Sequence, residues 1–198
     1  MTNLRKLLST RSPDMSAIAA HLDGLGNAVR VAEVRGLGRQ HQARLFDASA
    51  GFRPITIDDI VPPGTPPMQE VVHHGKNTLP AFNFFAKVFV RPDGAEADSD
   101  ELWGYNRNTA LLETAVGPGY FVAYDHHVEG EVLVDYLRVP PRHPAGWPPI
   151  LSNAERLSFF VYNGTQDVLR GVSKHVTIGR ATKGGRNLPA WFVLCREK

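Results

Sequence analysis

The sequence predicts a mainly β protein, in which an antiparallel barrel of about eight to ten strands follows an N-terminal helical arm. Three observations support this fold class. Apolar residues recur at helical spacing in the first part of the chain. A proline-rich stretch then interrupts the pattern. Beyond residue 67, about ten short apolar runs alternate with turn residues, without helical periods between them.

The helical arm is predicted over residues 1–56. Pro13-Asp14 is typical of the start of a helix, and Gly24 is typical of its end. Between them, the apolar residues that recur at helical spacing are Met15, Ile18, Ala19 and Leu22. Residues 38–48 form a second helical piece, whose polar sequence fits a core-facing helix poorly. We therefore expect the arm to consist of short helices.

Residues 57–67 contain four prolines. Prolines fix φ and remove backbone donors, so this stretch suits neither a helix interior nor a central strand. We predict a stiff connector here. It would separate the arm, residues 1–56, from a barrel domain that spans residues 68–198.

The barrel is predicted from runs that are rich in β-branched and aromatic residues. They are Met68 to His73, Phe84 to Arg91, Leu102 to Asn106, Ala110 to Val116, Tyr120 to Asp125, Glu131 to Val139, Leu157 to Asn163, Asp167 to Val172, Val176 to Ala181 and Ala190 to Arg196. Short connections favour antiparallel pairing, and closure removes exposed sheet edges. One longer segment, residues 140–153, is expected to lie across an end of the barrel as a lid or plug.

Charge and composition disfavour several kinds of partner. The chain has 22 basic and 20 acidic residues and no dense run of Lys or Arg, so we expect no nucleic-acid partner. No apolar run approaches the roughly 20 residues of a membrane helix. The N-terminus lacks the apolar segment of a signal peptide, and we expect a cytoplasmic protein with no membrane partner. The one cysteine, Cys195, is expected to be a small core residue.

The C-terminal part of the chain resembles the closing strands of small lipocalin-like barrels of the calycin type. The residues that carry this resemblance are the Tyr162-Asn163-Gly164 turn, the strands Asp167 to Val172 and Val176 to Ala181, and the terminal apolar strand through Cys195. The Gly179-Arg180-Ala181 step is also similar to one in uncharacterised bacterial barrel proteins. The resemblance covers under half of the chain. It implies a lipocalin-like barrel with an interior cavity for a small, largely apolar molecule.

Three charged residues in apolar runs are candidates for acid and base chemistry. Lys87 shares a strand face with phenylalanines, and Asp135 alternates with leucines. We hypothesise that Lys87, Asp135 and Glu113 line one cavity, where burial raises a carboxyl pKa and an opposite charge lowers it. The alternative is that Lys87 and Glu113 point to solvent, because alternation alone does not distinguish inside from outside.

These patterns favour the binding of a small hydrophobic or amphipathic molecule inside the barrel. The aromatic residues expected to surround it are Phe85, Phe89, Trp103, Tyr105 and Tyr124. Its polar end would be held by Lys87, Asp135 or Arg138.

The alternative function is a cofactor-independent enzyme in the same cavity, an isomerase, cyclase or hydratase. Its acid and base would come from Asp135, Glu113 and Lys87. The chain contains no dinucleotide fingerprint, phosphate loop or nucleophile elbow, so no cofactor is expected.

Two histidine pairs, His73-His74 and His126-His127, are candidate metal ligands. Neighbouring residues of a strand point to opposite faces, so each pair offers one imidazole to a given side. We therefore expect exposed histidines and no metal site. A third alternative gives the function to the arm, which would dock on a partner protein or on a second copy of the chain as a homodimer.

Overall fold

The computed structural model describes residues 3–79, 83–97, 99–107, 118–150 and 164–197. Eight antiparallel strands form one closed barrel in chain order, and the last strand pairs with the first. The strands are β1 (Val71–Asn77), β2 (Phe84–Val90), β3 (Glu101–Arg107), β4 (Phe121–Asp125), β5 (Glu131–Asp135), β6 (Thr165–Gly171), β7 (Val176–Lys183) and β8 (Arg186–Arg196). This confirms the predicted fold class. Two predicted strands, residues 110–116 and 157–163, lie outside the described residues.

The up-and-down order of the strands gives the barrel two ends. The lower end carries the connections β2–β3, β4–β5 and β6–β7, and the upper end carries the other four. Gly130, in the β4–β5 connection, has a φ of 80°. Glycine adopts this conformation without steric cost, which is why the turn between β4 and β5 falls there.

Side chains along each strand alternate between the interior and the outer wall. Cross-strand partners share a side, so Lys87 and its partner Asn106 lie on one face of the sheet, as do Val134 and its partner Asp167. Lys87 contacts Asp167, and this places all four residues inside the barrel. Asp135 follows Val134 and therefore belongs to the outer wall.

Four helices form the arm. None of the described helices is long and apolar enough to span a membrane. They are α1 (Leu4–Leu8), α2 (Met15–Gly24), α3 (Asn27–Arg35) and α4 (Arg39–Ala48). Asp14 caps α2 by accepting a hydrogen bond from the Ala17 amide at 3.0 Å. The arm packs on the outer wall of β7 and β8 in one buried cluster, which includes Leu22, Val34, Leu45, Val176, Val193 and Cys195. The short helices and the buried cysteine are confirmed.

Residues 53–61, which we name the stopper, close the lower end of the barrel. Thr56 and Asp59 form a capping box that begins the short helix α5 (Ile57–Ile60). We predicted that residues 57–67 do not form a helix, and this prediction is wrong for Ile57–Ile60. The helix forms because its capping box lies before the prolines. The Ile57 amide donates to Asp125 at the lower end of β4, at 2.8 Å. The stopper's buried isoleucines belong to the interior core, together with residues of six strands.

Residues 140–150, which we name the strap, lie on the outer wall. The Tyr120 hydroxyl donates to the Pro148 carbonyl at 2.5 Å, and the Trp147 indole N–H donates to Glu70 at 2.6 Å. The ring of Trp147 packs 4.5 Å from that of Tyr105. The prediction of a lid across a barrel end is therefore wrong for the strap, since aromatic residues on the outside of the barrel hold it there. Residues 151–153 lie outside the described part of the chain.

Candidate functional site

The interior site is built around Lys87. This residue lies in β2, a strand with aliphatic or aromatic side chains at its other six positions. Such a strand is suited to burial on both faces. Only 2% of the Lys87 side chain is exposed, so the amine is inside the barrel and not in solvent.

Polar side chains from three other strand regions converge on the amine. Its Nζ lies 3.2 Å from Oδ2 of Asp167 in β6, and it donates a hydrogen bond to Oδ1 of Asn106 in β3 at 3.1 Å. It also donates to the hydroxyl oxygen of Tyr136, which follows β5. The Asn106 amide donates to the same hydroxyl at 2.9 Å. We name these four residues the Lys87 cluster.

Aromatic rings surround the amine on its remaining sides. Nζ lies 4.8 Å from the centroid of the Tyr136 ring, 4.9 Å from Phe121, 5.0 Å from Phe192 and 5.9 Å from Phe85. A cation within about 6 Å of a ring face is stabilised by the ring quadrupole. The rings therefore compensate part of the cost of burying a charged amine.

Two glycines let these rings lie close against the barrel wall. A Cβ on Gly179 would lie 2.2 Å from the Phe192 ring, and a Cβ on Gly104 would lie 2.4 Å from the Phe121 ring. Both distances are far below van der Waals contact. A larger residue at either position would push a ring towards the amine, so these glycines set the width of the site.

Burial opposes the ionised form of both partners in the ion pair. Desolvation lowers the pKa of Lys87, although the nearby Asp167 carboxylate partly offsets this. Desolvation likewise raises the pKa of Asp167, against the opposing effect of Lys87 and of the Tyr136 hydroxyl. Both shifts reduce the difference between the pKa of the Lys87 amine and the pKa of the Asp167 carboxyl group. Opposed pKa shifts of this kind occur more often at functional sites than elsewhere.

Asp135 lies on the opposite side of β5 from the Lys87 cluster. Its Oδ2 accepts a hydrogen bond from the Tyr124 hydroxyl at 3.1 Å, and its Oδ1 accepts one from the Leu137 amide at 2.9 Å. The structure therefore does not bring Asp135 and Lys87 into one cavity. The one-residue alternation that buries Tyr136 inside the barrel directs Asp135 outward.

The other predicted site residues fall into three groups. Phe85 and Phe89 lie on the interior face of β2. Outward-facing aromatic residues on the wall are Trp103, Tyr105 and Tyr124. Arg138 forms an ion pair with Glu101 at 2.7 Å and is about half exposed. The placement of Trp103, Tyr105 and Tyr124 around an interior ligand is therefore not supported, because alternation turns them away from the interior. Glu113 lies outside the described residues.

Sequence reasoning missed two members of the cluster, namely Asn106 and Asp167. The signal for Asp167 was present in β6, where every second residue is buried and Asp167 falls on the buried face. A carboxylate on the apolar face of an alternating strand needs a buried partner, and Lys87 has the opposite charge. Only the closure of the barrel brings β2 and β6, which are not neighbours, within contact distance.

The histidine pairs do not join at this site. His73 is buried in the interior, where Nε2 donates to the Ile60 carbonyl of the stopper at 3.0 Å. Its expected exposure is therefore wrong. His74 faces outward, and its Nε2 lies 3.5 Å from Glu197. His126 and His127 lie in the β4–β5 connection with ring centroids 4.0 Å apart.

Outside the barrel interior, described residues line two cavities. One, of about 690 Å³, lies on the outer wall between α4 and the strands β4 to β7, and Phe46, Leu133 and Arg170 are among its lining residues. The other, of about 300 Å³, lies at the lower end beside Pro62 and Arg196. The convergent charges lie instead in the interior, where rings enclose the Lys87 amine.

No family model, curated protein or solved structure matches the chain. The closed antiparallel barrel of eight strands is consistent with a lipocalin-like barrel in general shape. Membership of the calycin group stays a prediction.

Proposed function

We propose that the barrel binds a small amphipathic molecule with an anionic or strongly polar group, and that the Lys87 cluster holds this group. The observation that carries the proposal is the ion pair of Lys87 and Asp167, buried among four aromatic rings. The rings would contact the apolar part of the ligand, as in other barrel-enclosed sites. The resemblance of the C-terminal strands to lipocalin-like barrels favours the same class of ligand.

The ion pair of Lys87 and Asp167 is costly to bury. Removing two charges from water costs several kcal/mol per ion, and apolar residues of similar volume often replace a buried pair with no loss of stability. A barrel that only needed a filled interior would therefore not require Lys87 and Asp167. Their presence in the interior is best explained by a ligand or a reaction that uses them.

The chemistry of the cluster indicates how an anionic group would bind. Burial raises the pKa of Asp167, so its carboxyl group can take up a proton when a second anion approaches. Lys87 would then donate to the ligand, and the hydroxyl of Tyr136 would add a neutral partner. Ligand binding would be accompanied by proton uptake. Phe85 is the half-buried ring of the four, and it would move aside to admit the ligand.

An acid–base enzyme is the second candidate, and the opposing pKa shifts in the pair favour it specifically. A neutral Lys87 amine can accept a proton from a substrate, and a protonated Asp167 can return one. Isomerisation by proton transfer needs both roles within one site and no cofactor. This candidate now rests on Lys87 and Asp167, since Asp135 faces the outer wall.

The test is binding of 1-anilinonaphthalene-8-sulfonate, an aromatic molecule with one anionic group, measured by fluorescence titration. The wild type is compared with the double variant Lys87→Met/Asp167→Leu, which fills the site without charge. We expect the double variant to bind about 10- to 100-fold more weakly, because charge-assisted hydrogen bonds contribute about 1.5–3 kcal/mol. Asp135→Asn is the matched control on the outer wall, and its affinity should equal that of the wild type.

Native mass spectrometry of untagged protein from its own host would identify any small molecule that the protein retains. A molecule retained by the wild type and lost from the double variant would support the proposal and name the ligand class. Equal affinity of the wild type and the folded double variant for the probe would overturn it, since the probe would then bind elsewhere. An isomerised product of a retained ligand would favour the enzyme over the binding protein.

A further inference from the structure

A second surface of the molecule collects positive charge from distant parts of the chain. Arg35 ends α3, Arg39 begins α4, Lys76 lies in β1 and Arg180 lies in β7. Phe84 lies in β2 and Trp191 lies in β8. The four strands that carry these side chains are neighbours around the barrel, in the order β2, β1, β8, β7. We name these four cations, together with the rings of Phe84 and Trp191, the basic strip.

The cations of the basic strip have no acidic partner within the described part of the chain. Six other arginines do, namely Arg53, Arg91, Arg107, Arg138, Arg142 and Arg170. The exposed Lys183 and Arg186 of the β7–β8 hairpin add two more cations without a described ion pair. The basic strip thus concentrates unpaired positive charge on one surface of a nearly neutral chain.

Two aromatic rings hold these cations in place. Lys76 Nζ and Arg35 Cζ each lie 5.5 Å from the centroid of Phe84. Arg39 Cζ lies 5.7 Å and Arg180 Cζ 5.1 Å from the ring of Trp191. These contacts fix the cations in positions from which they can bind phosphate groups.

Apolar side chains project beside the cations. Leu79, after β1, is 42% exposed, and Phe84, at the start of β2, is 53% exposed. They flank the β1–β2 connection at the upper end of the barrel. Thr78, next to Leu79, is bonded to the backbone of Trp191 through both its amide and its hydroxyl group. The apolar side chains and the cations therefore belong to one continuous surface.

We propose that the basic strip docks the protein on a membrane surface that contains anionic phospholipid. The cations would contact lipid phosphates, and the two exposed apolar side chains would enter the boundary between headgroups and acyl chains. We expected no membrane partner from the sequence, because no apolar run approaches the length of a membrane helix. The folded barrel brings together cations that are up to 145 positions apart in the chain, from Arg35 to Arg180.

The experiment is co-sedimentation of the full chain with vesicles of phosphatidylcholine alone or with added phosphatidylglycerol. We expect binding only to the anionic vesicles. Lys76→Glu/Arg39→Glu should weaken it by roughly 30-fold or more, since each basic residue contributes about fivefold. Glutamate at position 39 suits the first turn of α4 electrostatically, which helps to preserve the fold. The control Arg11→Glu/Lys174→Glu makes the same change in net charge at exposed positions outside the strip.

A second pair of variants tests the apolar side chains. Leu79→Ser/Phe84→Ser should lose binding, whereas Val128→Ser/Val139→Ser, which changes exposed apolar residues elsewhere, should not. The proposal is overturned if the wild type does not bind anionic vesicles, or if each control loses as much binding as its strip variant. It is also overturned if the strip binds a labelled single-stranded oligonucleotide while vesicles are not bound, because nucleic acid would then be its partner.

Discussion

The two ends of the barrel interior bury polar groups in different ways. At the lower end, the neutral imidazole of His73 donates to a backbone carbonyl, and the stopper fills the remaining space with isoleucines. Towards the upper end, an amine and a carboxyl group face each other among aromatic rings. A neutral hydrogen bond satisfies a buried group at small cost, whereas a buried ion pair costs far more. The lower end thus contributes to stability at small cost, whereas the upper end holds the costly ion pair of the site that we propose binds a ligand.

The largest expected effect comes from removing one partner of the ion pair. Lys87→Met leaves Asp167 buried without its cation, and we expect a loss of about 3–5 kcal/mol in the free energy of unfolding. The double variant Lys87→Met/Asp167→Leu should recover most of this loss. Urea unfolding measures both. A double variant as unstable as the single one would show that the upper end is also structural.

The second-largest expected loss of stability comes from a substitution in the stopper. Ile60→Ala removes a fully buried side chain from the interior core and should cost about 2–5 kcal/mol. Affinity for the fluorescent probe should not change in the folded protein, because the stopper is at the opposite end of the barrel from the proposed site. A large loss of affinity at unchanged stability would reverse the assignment of the two ends.

A smaller effect is the pH dependence that His73 confers. Burial lowers the pKa of this imidazole from 6.5 to about 3. The unfolded chain therefore binds a proton that the folded protein does not, and stability should fall as the pH decreases from about 6.5 towards 3. The slope from this group approaches about 1.4 kcal/mol per pH unit. Urea unfolding of His73→Gln across this range should show a shallower slope than the wild type. Equal slopes would contradict the buried neutral imidazole.

The smallest predicted effect is the loss of one hydrogen bond between the stopper and the wall. Asp125→Ala removes the acceptor of the Ile57 amide and should cost about 1 kcal/mol, because the carboxylate is exposed and water can replace it. Glu129→Ala in the neighbouring connection is the control, and it should change stability by less. Thermal unfolding would distinguish the two variants.

Much of the fold was predictable from local patterns. Alternation, turn residues and the helix start at Asp14 depend on neighbouring residues, and the eight described strands and the arm follow from them. The stopper was not predictable in the same way. Its capping box occupies only four residues next to a run of prolines. The place where the stopper packs is the lower end of the barrel, which forms only when the barrel closes.

The candidate site was only partly predictable. Lys87 was identified as an anomaly on an aromatic strand face, but its partner was assigned to Asp135 instead of Asp167. Both carboxylates lie on apolar strands, and a shift of one residue decides which of them enters the barrel. In the structure, the pairing of Val134 with Asp167 shows that Asp167 faces the interior. The sequence alone does not tell which residues of two distant strands pair.

The position of Cys195 makes the chain's one thiol a reporter of arm movement. The thiol lies in the core shared by the arm and the wall, and burial raises its pKa to about 11. At neutral pH it is protonated and covered, so a thiol reagent can modify it only when the arm lifts or the barrel unfolds. The modification rate in native conditions would measure how often the arm leaves the barrel, with no added label.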